Sequence, residues 1–202
     1  MFGKIAADAL GLSDIGVIVP PSDYNKVDAD DYLFHEDGEK IFFLIKSRKD
    51  EYCFTNFGVI HVDGESAVSS KRSIKRYDFA STRVSNVTIE TAGTVDRDVE
   101  LKFMLDTTVF SIDVKKSFIE PLKDIYKALI AIGRQQHRDE AARNNAGHTL
   151  GAVAAAFKIG ASEGEQTLSR QFEALLATVN DAVLNRHTTR DFSAIFEKYI
   201  HG

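Results

Sequence analysis

The stretch Glu39–Gly64, EKIFFLIKSRKDEYCFTNFGVIHVDG, decides the fold. It holds two apolar runs, Ile41–Ile45 and Tyr52–Val62, on either side of the charged turn Lys46-Ser47-Arg48-Lys49-Asp50-Glu51. Branched and aromatic side chains pack well on pleated backbone, so two such runs this close predict an antiparallel hairpin. The alternation within it is imperfect. Ile41, Phe43 and Ile45 share one side, and Phe42 and Leu44 the other. In the second run Phe54, Ile60 and Val62 oppose Phe57 and Val59. A sheet with one wet face is apolar on the other face only. The outer face of this hairpin is therefore expected to be covered, by a helix of the same chain or by another subunit.

Upstream, Phe2, Ile5, Ala6, Ala9 and Leu10 fall on one face of a short helix expected to end near Gly11. Lys4 is its single cation, too little for a membrane-surface anchor, so the helix is expected to pack on the protein. Pro20-Pro21 opens an irregular acidic connection to Asp31. Asp28, Asp30 and Asp31 lack the Gly and Glu positions of a calcium-binding loop and read as a solvated turn.

Downstream, Val68–Phe79, Val84–Thr91, Val99–Leu105 and Val109–Val114 are strand-like, with hairpin-sized gaps between the last three. Val99, Leu101, Phe103 and Leu105 alternate with charged residues, which predicts one wet face. Six or seven short antiparallel strands with no intervening helix predict a barrel or sandwich. The period then changes. Ser117 and Glu120 fit a capping box, and Phe118, Leu122, Ile125, Leu129 and Ile132 form a stripe at helical spacing. That helix is expected to close the strand meander.

Residues 134–202 read as helix throughout, with eight cations balanced by eight acids, so the net charge of −5 belongs to residues 1–133. The organisation expected is therefore a β domain over 1–133 and a helical oligomerisation region over 134–202. Gly147 and Gly151 form a GxxxG, but the run is short and Lys158 follows it. Gly160–Gly164 is a turn that lacks the Lys-Ser/Thr ending of a phosphate loop. Leu168, Phe172, Leu175, Val179, Ala182 and Arg186 recur at alternating spacings of four and three, a coiled-coil-like seam. Phe192, Ile195, Phe196, Tyr199 and Ile200 predict a last amphipathic helix. So thin a set of helices must dock elsewhere, and copies of the same chain are the favoured surface.

The order of these elements, with Tyr52-Cys-Phe-Thr55-Asn56 followed by Val59–Asp63, resembles the bacterial pleckstrin-homology-like domain over residues 1–133. The remainder resembles the YvbH-like helical region, including its ending Arg190-Asp-Phe-Ser-Ala-Ile-Phe-Glu-Lys-Tyr-Ile200. The resemblance implies an α+β fold: a bent antiparallel barrel, its closing helix and a helical tail. It also implies ring-like homo-oligomers and no catalytic residues.

The remaining sequence narrows the chemistry. No HExxH, paired CxxC or GxSxG motif is present. Cys53 lies in an apolar strand and reads as a core residue. The six histidines are scattered, and a catalytic reading would need a polar pocket holding His61 beside a carboxylate. The expectation is a non-enzymatic protein with no cofactor and no metal. Its acidic balance argues against nucleic acid. With no secretory signal and no long apolar run, it is expected in the cytoplasm. Two basic clusters remain. Lys71, Arg72, Lys75 and Arg76 lie along a strand and are candidates for a polar surface facing a protein partner, or for an edge strand guarded by charge. Lys46, Arg48 and Lys49 occupy the first hairpin turn, where eukaryotic pleckstrin-homology domains bind lipid headgroups. Three cations there would supply about 1 kcal/mol each toward an anionic surface. Asp50 and Glu51 adjoin them, so a membrane contact is the less favoured reading.

Overall fold

A computed structural model describes residues 13–64, 72–91, 98–156, 165–181 and 186–200. The predicted helix over Phe2–Leu10 lies outside them, as do residues 65–71 and 92–97 and the turn at Gly160–Gly164. The chain divides into two compact units. One comprises residues up to Gly133 together with those from Arg190 onward, and the other is Arg134–Thr189.

Among its described residues the first unit holds eight strands: β1 (Val17–Ile18), β2 (Ile41–Lys46), β3 (Asp50–Thr55), β4 (Gly58–Gly64), β5 (Arg72–Asp78), β6 (Val84–Thr91), β7 (Asp98–Leu105) and β8 (Thr108–Lys115). The run Tyr52–Val62, read from sequence as one strand, is two. Thr55 Oγ1 accepts from the Phe57 and Gly58 amides, at 3.1 and 3.0 Å, and turns the chain over. The turn also resets which side chains share a face. Phe54 and Val59 enter the core between the sheets, whereas Ile60 and Val62 face outward.

The expected barrel is not closed. β1 to β5 form one antiparallel sheet in chain order, and β6 to β8 form another. They join at one corner, where Gly16 donates to the Asp113 carbonyl at 2.7 Å and accepts from the Lys115 amide at 3.0 Å. At the opposite corner the turn after Asp78 carries the chain from sheet to sheet, and no β5–β6 ladder forms among the described residues. Side chains fill that corner instead, led by buried Phe79.

The core between the sheets takes Phe43, Ile45 and Phe54 from one sheet and Leu101, Phe103, Leu105, Phe110 and Ile112 from the other. Val99, Leu101, Phe103 and Leu105 are all buried, as their alternation predicts. α1 (Ile119–Ala156) lays Leu122, Ile125, Leu129 and Ile132 against this core. It approaches β6 so closely that a Cβ on Gly133 would sit 2.7 Å from the Val84 carbonyl oxygen. The expected capping box gives way to a 3₁₀ turn over Lys116–Phe118, and Glu120 pairs with Lys123 at 2.6 Å.

The outer face of the hairpin is covered from within the chain, by short 3₁₀ segments rather than by a regular α-helix. The acidic connection folds into short 3₁₀ turns at Pro21–Lys26 and Asp28–Tyr32. Val27, Ala29 and Leu33 from this stretch bury against Leu44, Cys53, Ile60 and Val62. Of the aspartates among them, Asp31 is exposed and Asp28 and Asp30 are half-buried.

The end of the chain returns to the first unit. α3 (Ser193–Tyr199) is too short to be helical alone. Phe192 and Phe196 are both fully buried, against Phe79 at 5.5 and 6.3 Å, and Phe196 stacks on Phe42 at 5.0 Å. Burying two such side chains contributes about 3–6 kcal/mol. The sequence reading grouped residues 134–202 together. The structure assigns residues from Arg190 on to the first unit, because these two rings belong to its core.

In the second unit, α1 continues to Ala156 and α2 spans Glu165–Asn180. Arg143 donates to the His187 carbonyl at 2.7 Å, and Asp139 accepts from the Thr189 amide at 2.8 Å.

Candidate functional site

The first hairpin turn does not offer three free cations. Lys46 is buried and pairs with Glu51, which lies directly across β2 and β3. The Glu51 carboxylate also accepts from the Asp28 and Ala29 amides, at 3.2 and 2.9 Å. It thereby pins the acidic cover to the hairpin, and the charge of Lys46 is committed to this buried arrangement. Arg48 and Lys49 are exposed, with Lys49 3.7 Å from Asp14. Two exposed lysine and arginine side chains beside an acid form a weak anion site.

The basic strand is β5, and its cations have partners in their own chain. Lys71 lies outside the described residues. Arg72 pairs with Asp28 at 2.5 Å and Lys75 with Asp63 at 2.9 Å. The bond from Lys75 holds the Asp63 carboxyl below its ordinary pKa. Arg76 forks onto Glu39 at 3.0 and 3.1 Å, reaches Asp78 at 2.7 Å and lies over the Phe34 ring at 4.7 Å. What β5 presents is a row of neutralised ion pairs.

Glu39 is the centre that sequence reasoning missed. Its buried carboxylate takes the Arg76 fork, the Thr55 hydroxyl at 2.6 Å and the Phe34 amide at 2.8 Å. Four donors satisfy both oxygens, which is what a buried carboxylate requires. The neighbouring Asn56 is equally occupied. Its Oδ1 accepts from the Lys40 amide at 2.8 Å, its Nδ2 donates to Asp191 at 3.2 Å, and its carbonyl accepts from the Phe192 amide at 2.9 Å. Asp191 also takes both the amide and the hydroxyl of Ser193. Burial works against that carboxylate, but these bonds outweigh it and hold its pKa below the ordinary value. The Thr55-Asn56 pair is thus a latch: Thr55 reaches β5 through Glu39, and Asn56 holds the entry to α3. The sequence signal was faint, an acid two positions before the first apolar run.

His61 does lie beside a carboxylate, 3.1 Å from Asp50. Its ring stacks on Tyr52 at 4.5 Å and meets the edge of Phe110 at 6.0 Å. Burial pushes the Tyr52 hydroxyl well above its ordinary pKa, so it stays protonated at neutral pH. Cys53 faces the opposite side of the sheet and is wholly buried, which pushes its thiol up as well. Neither neighbour is an activated nucleophile. His61 ties the β3 end of the turn to β4. Among the described residues, no group of three or more acidic, histidine or cysteine side chains could hold a metal ion.

α2 carries the sequence's coiled-coil seam. Of that seam, Leu175 and Val179 have described side chains, both half-buried, and Arg186 beyond the helix pairs with Asp181 at 2.6 Å. Leu176, beside the seam, is 47% exposed. No described side chain of α2 is buried.

With this geometry in place, comparison with known proteins is direct. The family model of the bacterial PH domain matches residues 9–132. A Bacillus subtilis (strain 168) protein, described as uncharacterized protein YvbH, is 49% identical over 205 residues and covers all of both chains. The crystal structure of a PH domain-containing protein from Exiguobacterium sibiricum 255-15 superposes with a TM-score of 0.83. It is 41% identical, and the match covers 93% of this chain and 100% of that one. Among the described residues, no helix is long and apolar enough to cross a membrane.

Proposed function

Because the chain belongs to the bacterial PH domain family, we propose that it is a non-catalytic scaffold that self-associates through α2 and presents its β domain to a protein partner in the cytoplasm. The observation that carries this reading is the exposure of α2. A sixteen-residue helix in water is marginal by itself, and its apolar stripe of Leu175, Leu176 and Val179 is left without a buried residue. The four-three spacing of the seam suits another helix of the same kind. Repetition of the β domain in such an assembly would turn weak contacts into avidity. The membrane alternative is set aside, because Lys46 is committed to Glu51 and only Arg48 and Lys49 remain exposed in that turn.

The test is the solution mass of the full chain, by light scattering on a sizing column. The unaltered chain is expected to run as a defined oligomer. The double variant Leu175→Glu with Val179→Glu is expected to run as a monomer with an unchanged melting transition of the β domain. A monomeric unaltered chain defeats the reading.

A further inference from the structure

We infer that Asp139 and Arg143 of α1 form a clip that sets how firmly α3 is docked, so that loosening the helical unit opens the core of the β domain. This rests on the connectivity of the chain and does not depend on α2.

The helical unit, Arg134–Thr189, is an insertion: the first unit supplies both the chain before it and α3 after it. α3 has seven residues, too few to stay helical without its docking. Its hold on the first unit consists of Phe192 and Phe196, the tie between Asn56 and Asp191, and an exposed pair of Lys40 with Glu197 at 3.2 Å. Docking α3 also closes a loop of fifty-six residues. The entropy lost in closing a loop rises with its length, and that loss opposes docking.

Two side chains shorten the loop. Asp139 and Arg143 are four positions apart, which puts both on one face of α1, and both are half-buried. One Asp139 oxygen accepts from the Thr189 amide at 2.8 Å, and the other from Gln135 Nε2 at 2.6 Å. Arg143 Nη1 donates to the His187 carbonyl at 2.7 Å and to the Thr188 hydroxyl at 3.3 Å. Three consecutive residues, His187, Thr188 and Thr189, are thereby tied to about one turn of α1. α1 itself runs unbroken from Ile119 through Asp139 to Ala156. Thr189 stands two positions before Asp191 and three before Phe192.

With the clip closed, the chain between the last buried turn of α1 and the first bond of α3 shrinks to about eight residues that are not already tied. Closure probability falls with about the three-halves power of length, so the clip favours docking on the order of tenfold. Such coupling is reciprocal: a docked α3 also holds His187–Thr189 near their partners on α1. Whatever strips these three residues from α1 uncovers Phe42 and Phe79 in the β domain, and whatever rigidifies the helical unit seals them.

Amide hydrogen exchange on the full chain at pH 7, resolved by residue, tests this by comparing the parent with the double variant Asp139→Ala, Arg143→Ala. The Phe192, Phe196 and Ile200 amides donate to the Asn56, Phe192 and Phe196 carbonyls. They are expected to exchange at least tenfold faster in the variant, while the β3 and β4 amides keep their rates. Unchanged rates at these three amides in a folded variant overturn the inference. An equal acceleration of the β3 and β4 amides also overturns it, since the two side chains would then act on global stability. Reciprocity gives a second readout. Phe196→Ala loosens α3 and leaves Asp139 and Arg143 in place, and is expected to speed exchange of the Thr189 amide at least threefold. An unchanged Thr189 amide in that variant overturns the inference. If the double variant does not fold, the Phe196→Ala comparison decides.

Discussion

At the scale of single residues, the molecule is organised by a few acids that the apolar pattern hides. Glu39 and Glu51 are both buried, at opposite ends of the central hairpin; Glu51 gathers the Asp28 and Ala29 amides, 23 and 22 positions away, and Glu39 gathers the Arg76 guanidinium and the nearby Phe34 amide. Removing one partner of a buried ion pair leaves the other charge uncompensated, at a cost of about 3 kcal/mol or more. Glu39→Gln is expected to lower the unfolding free energy by about that amount in a denaturant titration. Adding Arg76→Met is expected to recover part of it, since the stranded guanidinium is then gone. An equal or larger loss in the double variant would mean that Arg76 works through Asp78 and Phe34 rather than through Glu39. Such acids escape periodicity arguments, because a charge at the margin of an apolar run reads as the boundary of a strand. The reading of Lys46 failed for the same reason: a lysine beside an arginine and a second lysine looks like a basic turn until its cross-strand partner is known.

Among the elements, the amphipathic ones were legible and the irregular ones were not. β7 and the first half of α1 bury the residues their periods select. The cover over the hairpin was invisible because short 3₁₀ turns carry no period, and Val27, Ala29 and Leu33 are scattered among aspartates. The two-residue turn after Thr55 was hidden inside a continuous apolar run, so the faces of β4 were misassigned. α3 was legible as a helix, but its docking was not, since that depends on Asn56 and Asp191, 135 positions apart. That tie titrates. Asp191 has its pKa lowered in the folded chain, so its contribution to stability is fully present above the ordinary value of 3.8 and is lost as pH falls through the lowered one. Acidification from pH 5 to pH 2 is expected to release α3, seen as faster exchange of the Phe192 amide. Asp191→Asn is expected to show faster exchange already at pH 7, with a shallower dependence on pH. An unchanged profile in that variant would move the acid sensitivity elsewhere.

For the molecule as a whole, resemblance supplied what pattern could not. The α+β class, the antiparallel strands and the packing helix were readable. Closure of the barrel was over-read, because alternation reports which face is wet and says nothing of which edges pair. The division of the chain also differs from a simple order of domains. A chain ending at Thr189 loses Phe192 and Phe196 from the core, and is expected to unfold at least about 3 kcal/mol more easily than the full chain. Equal stability in a denaturant titration would show that the cavity is refilled by other side chains.

That return of α3 also imposes an order in time. A ribosome delivers the strands and α1 first, then the fifty-six residues of Arg134–Thr189, and only afterwards the two phenylalanines that finish the core. Until then the nascent β domain shows an apolar gap beside Phe42 and Phe79. Completion of its interior is therefore deferred until the helical unit has been made, so a chain cut short in translation carries an exposed hollow that quality-control proteases and chaperones can recognise.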